Sequence, residues 1–272
     1  MGRSFLRALA SSLILALSSA STGFAHEFWL MPDDFEPQVG AQLNVELRNG
    51  QMMSGVSLPY LPGSVTRFDM AAGNDVVPVV SRLGDTPAMS MAAPAEGMVI
   101  VVHETTDNTI TYDDLAQFER FTTHKAAVGA MVAHAARGLP NSGFSETYRR
   151  YAKTLIGVGH AAGQDRATGL RIEIVALANP YTDDVAAGLP LQVRLDGAPR
   201  AGAQIDLFAT APDGTVTETF FSTDANGVAV VPAQKGVTYL ADSVDIYALP
   251  NDDVAAGPVW HSDWASLTYR VP

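Results

Sequence analysis

The 272-residue chain contains no cysteine. That excludes disulfides, thiolate metal sites and a cysteine nucleophile, so cohesion must come from an apolar core. Any metal must be held by nitrogen, carboxylate, thioether or backbone donors. Basic residues are scarce, with 17 Lys and Arg against 29 Asp and Glu. Such an acidic surface repels phosphate backbones, which argues against nucleic acid as a partner, and it concentrates cations. Long hydrophobic runs are lacking as well. After residue 25 no stretch approaches the roughly 20 apolar residues of a membrane-spanning helix. The chain has no glycine-rich phosphate loop, no serine elbow and no internal repeat.

What is there begins with a three-part leader. Arg3 and Arg7 precede an apolar stretch from Leu6 to Leu17, a small polar segment follows, and Gly23-Phe24-Ala25 offers small residues at −3 and −1 of a cut after Ala25. This layout predicts a cleaved secretion signal over 1–25, a periplasmic protein, and His26 as the first mature residue. A cut after Gly23 is the alternative. Two of the 17 basic residues and none of the acidic ones precede His26, so the net charge of −12 deepens to −14 beyond it.

The rest reads as mainly β, in three segments. Over 26–112, Leu43 to Leu47 alternates apolar and polar residues before Asn49-Gly50, a turn pair, and Met98 to Val102 is a continuous apolar run suited to a strand buried on both faces. Over 113–168 the spacing predicts a helix at 113–137, capped by Thr111 or Asp113 and ended by Gly138 and Pro140. A second helix is predicted at 145–156, where Tyr148, Tyr151, Ala152 and Leu155 share a helical face, followed by a glycine-rich loop to Gly169. Over 169–272 short alternating strands return, at 191–195, 203–207, 228–231 and 237–241, with turns at Asp196-Gly197, Asp213-Gly214 and Asp224 to Gly227. The expectation is two β-sandwich units of immunoglobulin-like or transthyretin-like type bracketing a short helical pair.

Several motifs together resemble one family. They are Ala25-His26-Glu27-Phe28-Trp29-Leu30, the Arg137 to Pro140 turn, Glu146 to Leu155, Gly169 to Tyr181, the turn at Asp196 to Pro199 with Thr223-Asp224 and Gly227, and Trp264 to Tyr269. This set resembles the DUF4198 family, which includes the NikM-like periplasmic components associated with nickel and cobalt uptake. The resemblance implies a periplasmic metal-binding protein rather than an enzyme, with a membrane transporter component as partner. NikM-type members carry their metal-binding histidine second in the mature chain, whereas here it would be first.

The residues themselves offer three candidate ligands. His26, as a first residue, provides an α-amine and an imidazole that close one chelate ring on Ni(II), Co(II), Cu(II) or Zn(II). After the alternative cut it would stand third, where amine, two amides and imidazole wrap Cu(II) or Ni(II) in a plane. His124, followed by Lys125, and His103, at the exit of the buried strand, are the candidates to complete the site. Ten residues separate His124 from His134, about 15 Å along one helix, so the two cannot share an ion unless the helix breaks. His160 and His261 read as structural, and the methionines, clustered only at Met52-Met53 and Met89–Met91, as core filling. Two further readings remain open: a protein-interaction module without metal, and a copper histidine-brace oxidoreductase.

Overall fold

The computed structural model describes residues 26–94 and 96–272, so the leader expected over 1–25 lies outside the described residues. β1 (Glu27–Pro32), β2 (Gln42–Gln51) and β3 (Ser54–Leu58) run antiparallel in that order. β4 (Val65–Ala72) and β5 (Asp75–Pro78) form a hairpin, and β6 (Met89–Ala92) returns to pair with β2. β7 (Gly97–Thr105) and β8 (Asn108–Tyr112) lead to two short helices, α1 (Leu115–His124) and α2 (Gly129–Ala136). The long strand β9 (Phe144–Val158) follows, then β10 (Ile172–Ala176), β11 (Leu189–Leu195) and β12 (Ala198–Pro199). β13 (Gln204–Thr210), β14 (Val216–Ser222), β15 (Val228–Val231), β16 (Thr238–Ala248) and β17 (Trp260–Arg270) complete the chain.

Nine of these strands build one sheet in the order β14-β13-β16-β17-β9-β7-β4-β5, with β8 alongside β9. Two four-stranded sheets cover it, one made of β1, β2, β3 and β6, the other of β10, β11, β12 and β15. The Met98–Val102 run shows why both faces close. Met98, Ile100 and Val102 pack with Ile172, Ile174, Leu191 and Val193 on one side, while Val99 and Val101 pack with Leu30, Val45 and Met89 on the other. A strand buried on both faces has no polar face to alternate. The fold is therefore a β-sandwich arrangement carrying a short helical pair, and strands from all three sequence segments meet in the shared sheet.

Three local expectations are corrected. The helix expected over 145–156 is the body of β9. Tyr151 and Leu155 face one core and Ala152 and Ile156 the other, so the four-residue spacing that mimics a helix comes from double burial. The helix expected over 113–137 is two helices, because the backbone turns left-handed at Ala126 (φ 53°) while Lys125 drives its side chain into the sheet. Its N-cap is Asp114, whose carboxylate accepts from Ala116 N–H, and Gly138 (φ 65°) closes the C-terminal end as expected. Finally, β2 continues through Asn49-Gly50, and the turn falls at Met52-Met53. Gly50 is needed for another reason: a Cβ there would collide with the Ser54 carbonyl of β3.

Candidate metal centre

The face of the large sheet opposite β10 and β11 carries an unusual set of polar groups. In β13, Ile205 and Leu207 point into the core beneath the C-terminal strands, which sends Asp206 and Phe208 to the other side. Asp206 stands directly across from Asp242 of β16, two like charges that would repel at that spacing. Lys125, at the end of α1, reconciles them: its Nζ donates to Asp206 Oδ2 at 2.6 Å and Asp242 Oδ2 at 2.7 Å. Burial alone would lower the lysine's pKa, but the two carboxylates more than reverse this and hold it above its ordinary value. Asp242 is pushed up by its burial.

His124 is seated by the same helix end. Its ring lies edge-on to Phe220 at 5.5 Å, and its backbone carbonyl accepts from the Gln204 amide at 2.7 Å, an amide that also donates to Asp206 Oδ1. Nε2 lies 3.0 Å from Glu218 Oε1 of β14, and Nδ1 lies 3.9 Å from Asp206 Oδ2. One ligand atom from each of His124, Asp206 and Glu218 falls within 4.8 Å of the others. Asp206 is buried, His124 and Glu218 are half-buried, and a cavity of about 230 Å³ opens beside them, lined by His124 and Glu218 together with Glu27, Met52 and Phe121. Glu27 accepts from Met52 N–H, and its burial pushes the carboxyl up to about 7 against the lowering influence of Lys125.

One imidazole nitrogen and two carboxylates suit borderline and hard divalent ions such as Ni(II), Co(II), Zn(II) or Mn(II), not Cu(I). An ion takes only one nitrogen of His124. Bound through Nε2 beside Glu218, it would leave Nδ1 facing Asp206; bound through Nδ1, it would give up the Glu218 contact. To share one ion, the donor atoms would have to close from separations of up to 4.8 Å to the roughly 3 Å of ligands about 2.1 Å from a common centre, with Asp206 sharing oxygens that already accept from Lys125 and Gln204. By its chemistry the donor set is one that could hold a metal ion as cargo.

Of the three residues expected from sequence, His124 lies in this group, and neither His26 nor His103 belongs to it. His26 is exposed at the start of β1, one residue before Glu27, and its carbonyl accepts from Arg150 Nη1 at 2.6 Å. His103 is buried between the rings of Phe28 and Phe68, and lines a separate cavity. Although the helix between them breaks, His134 does not join His124: its Nδ1 accepts from Trp260 Nε1, and its Nε2 faces the Pro140 carbonyl at 3.0 Å. His261 bridges Thr147 and Asp263, and His160 is exposed beside Glu96. Sequence reasoning missed Asp206 and Glu218. The first looked like an outward-facing polar residue of an alternating strand, and what covers that outward face is visible only in the fold.

The chain matches the family described as "Domain of unknown function (DUF4198)" over residues 23–244. It belongs to the DUF4198 family. No curated protein matches it. Among solved structures, one described as the "tetra-tandem repeat in extending region of large adhesion protein" aligns over 90% of this chain and 49% of that chain, at 11% identity and a TM-score of 0.23. This DUF4198 chain thus spans about half the length of that structure, and the low score gives the likeness no weight. Among the described residues no helix is long and apolar enough to cross a membrane.

Proposed function

We infer that this DUF4198 protein is a periplasmic binding protein for a divalent transition-metal ion, nickel or cobalt foremost, acting as a carrier for an uptake system rather than as an enzyme. The observation that carries this reading is the convergence of His124, Asp206 and Glu218 beside a cavity that His124 and Glu218 line. His26, exposed one residue before the cavity-lining Glu27, is the further donor the sequence offers, through its α-amine and imidazole. The acidic surround draws cations in, while Lys125 keeps Asp206 in place. With His124 the single imidazole of the group, the arrangement gives more support to a carrier than to a copper brace, which needs two histidines.

Calorimetric titration of chelator-treated protein beginning at His26, with Ni(II), Co(II), Zn(II) and Cu(II), tests this directly. One ion per chain is expected, with affinity falling as pH drops because protons compete for the ligands. His124→Ala and Glu218→Ala should each weaken binding by about tenfold or more, near 1.4 kcal/mol. Binding that ignores both substitutions places the ion elsewhere, and affinity no tighter than about 100 μM for all four ions defeats the metal reading. Protein with an acetylated terminus separates the contributions: a further loss assigns a ligand role to His26, and no change confines the site to the sheet and α1.

A further inference from the structure

On the other side of β1 lies a second cavity, of about 260 Å³, small for a ligand pocket and walled by Phe28, Leu47, Leu58 and Leu61. Ser64, Thr105, Asn108 and Tyr148 also line it, and three further polar side chains there are incompletely satisfied. Arg150 is 9% exposed and forms no direct ion pair with a carboxylate among the described residues, Asp242 and Glu27 acting on it only from a distance; its guanidinium donates to the His26 carbonyl, with the Tyr148 hydroxyl also near it. Its guanidinium instead lies over aromatic rings, 5.1 Å from Tyr148, 5.0 Å from Trp264 and 6.0 Å from Phe28. His103 is 1% exposed, and neither ring nitrogen has a hydrogen-bond partner. The amide oxygen of Asn49 is likewise buried and unpartnered.

Each feature is costly by itself. A buried guanidinium with no carboxylate in direct contact gives up hydration that only an anion or strong acceptors restore, and orphaned buried polar atoms are rare in native proteins. All three sit on one cavity wall, and their needs are complementary. A guanidinium seeks a carboxylate, a neutral imidazole offers one donor and one acceptor, and an amide oxygen seeks a donor. Burial keeps the imidazole neutral, holding its pKa down to about 3.

We propose that this cavity binds a small organic acid: a carboxylate for Arg150, a neighbouring hydroxyl or amino group for His103 and Asn49, and a compact branched apolar body against Phe28, Leu47, Leu58 and Leu61. The site is distinct from the metal group, because alternation along β1 sends Glu27 to that cavity and Phe28 to this one.

The probes are 2-hydroxy-4-methylpentanoate, leucine and hexanoate, with 2-hydroxy-4-methylpentanamide as the uncharged control, titrated calorimetrically into metal-free protein beginning at His26. The acid with both a carboxylate and a neighbouring donor should bind with a Kd of about 1 mM or tighter, and its amide at least about tenfold more weakly. Arg150→Met should abolish the preference for acid over amide. Because Arg150 is packed among rings, that variant must keep the wild-type circular dichroism spectrum to count. Leu61→Trp decides independently: Leu61 is 46% exposed at the wall, so the larger ring fills the cavity without touching the polar groups, and binding should be lost. Absence of saturable heat with any acid up to about 10 mM, equal binding of acid and amide, or undiminished binding by Leu61→Trp each overturns the proposal.

Discussion

The chain has three lysines, and two of them, Lys125 and Lys153, are buried. Lys153 sits 2.8 Å from Asp165 and also donates to the Ile174 carbonyl. Lys125 has the harder task of holding two facing carboxylates beside the candidate metal ligands. Replacing it with methionine keeps the volume but leaves Asp206 and Asp242 buried without the cation they contact, with only the more distant Arg150 acting on Asp242. Lys125→Met should therefore cost about 3–5 kcal/mol in chemical denaturation at neutral pH, and adding Asp242→Asn should recover part of the loss. A cost below about 1 kcal/mol would mean that the pair is solvated in a way its burial does not suggest. Residue by residue, legibility followed chemistry. His124 declared itself as an imidazole followed by Lys125 in a stretch that resembles the family. Asp206 and Glu218 are the commonest kind of strand carboxylate, and nothing in their neighbourhoods marks them until α1 is laid over the sheet.

Helix and strand signals failed where an element is buried on more than one side. The fifteen residues of β9 touch both cores, so neither the period of two nor a polar face survives, and the spacing of its aromatic and aliphatic residues copies a helix. The C-terminal strands read at 191–195, 203–207, 228–231 and 237–241 fall on β11, β13, β15 and β16, where apolar core residues alternate along the strand, whereas β17, buried on both faces, was not read as a strand. The helical pair was legible in composition but not in its break. Gly129 marks the place in sequence and opens α2, but the chain turns three residues earlier, where Lys125 is captured by the sheet and exposed Ala126 takes a left-handed conformation. An L-residue in that conformation loses about 1–2 kcal/mol, against which glycine carries an unfolded-state entropy of about 0.4–1 kcal/mol. Ala126→Gly should therefore stabilise the protein by about 0.5–1 kcal/mol in thermal or urea unfolding, with metal affinity unchanged. Destabilisation by this variant would show that the Ala126 methyl makes a contact worth more than the strain.

At the scale of the whole molecule, the nine-stranded sheet makes one cooperative body out of segments that look separate in sequence. β9 and β17 pair in parallel from Trp260 against Glu146 to Thr268 against Thr154, and this seam joins the N-terminal strands to the C-terminal ones. Cutting the chain in the loop after β9 would leave β9 and β17 each with an open edge in mid-sheet. It would also expose the core that Met98, Ile100 and Leu155 share with Ile172, Ile174 and Leu191. A bare central edge and an uncovered apolar face drive aggregation rather than independent folding. Residues 26–168 and 169–272 produced separately should therefore be insoluble or unfolded, and should regain the native spectrum only when refolded together. The intact protein should unfold in a single transition. Its three tryptophans lie in β1 and β17, clustered with the helices and with Phe208 and Leu240, whereas far-UV circular dichroism reports every strand. If the shared sheet couples the two covering sheets, the fluorescence and dichroism curves coincide along the urea axis. A dichroism change that continues after the fluorescence transition is complete would mean that the C-terminal sandwich holds together without its N-terminal neighbour, and the sheet would then be a junction of two domains, not the spine of one.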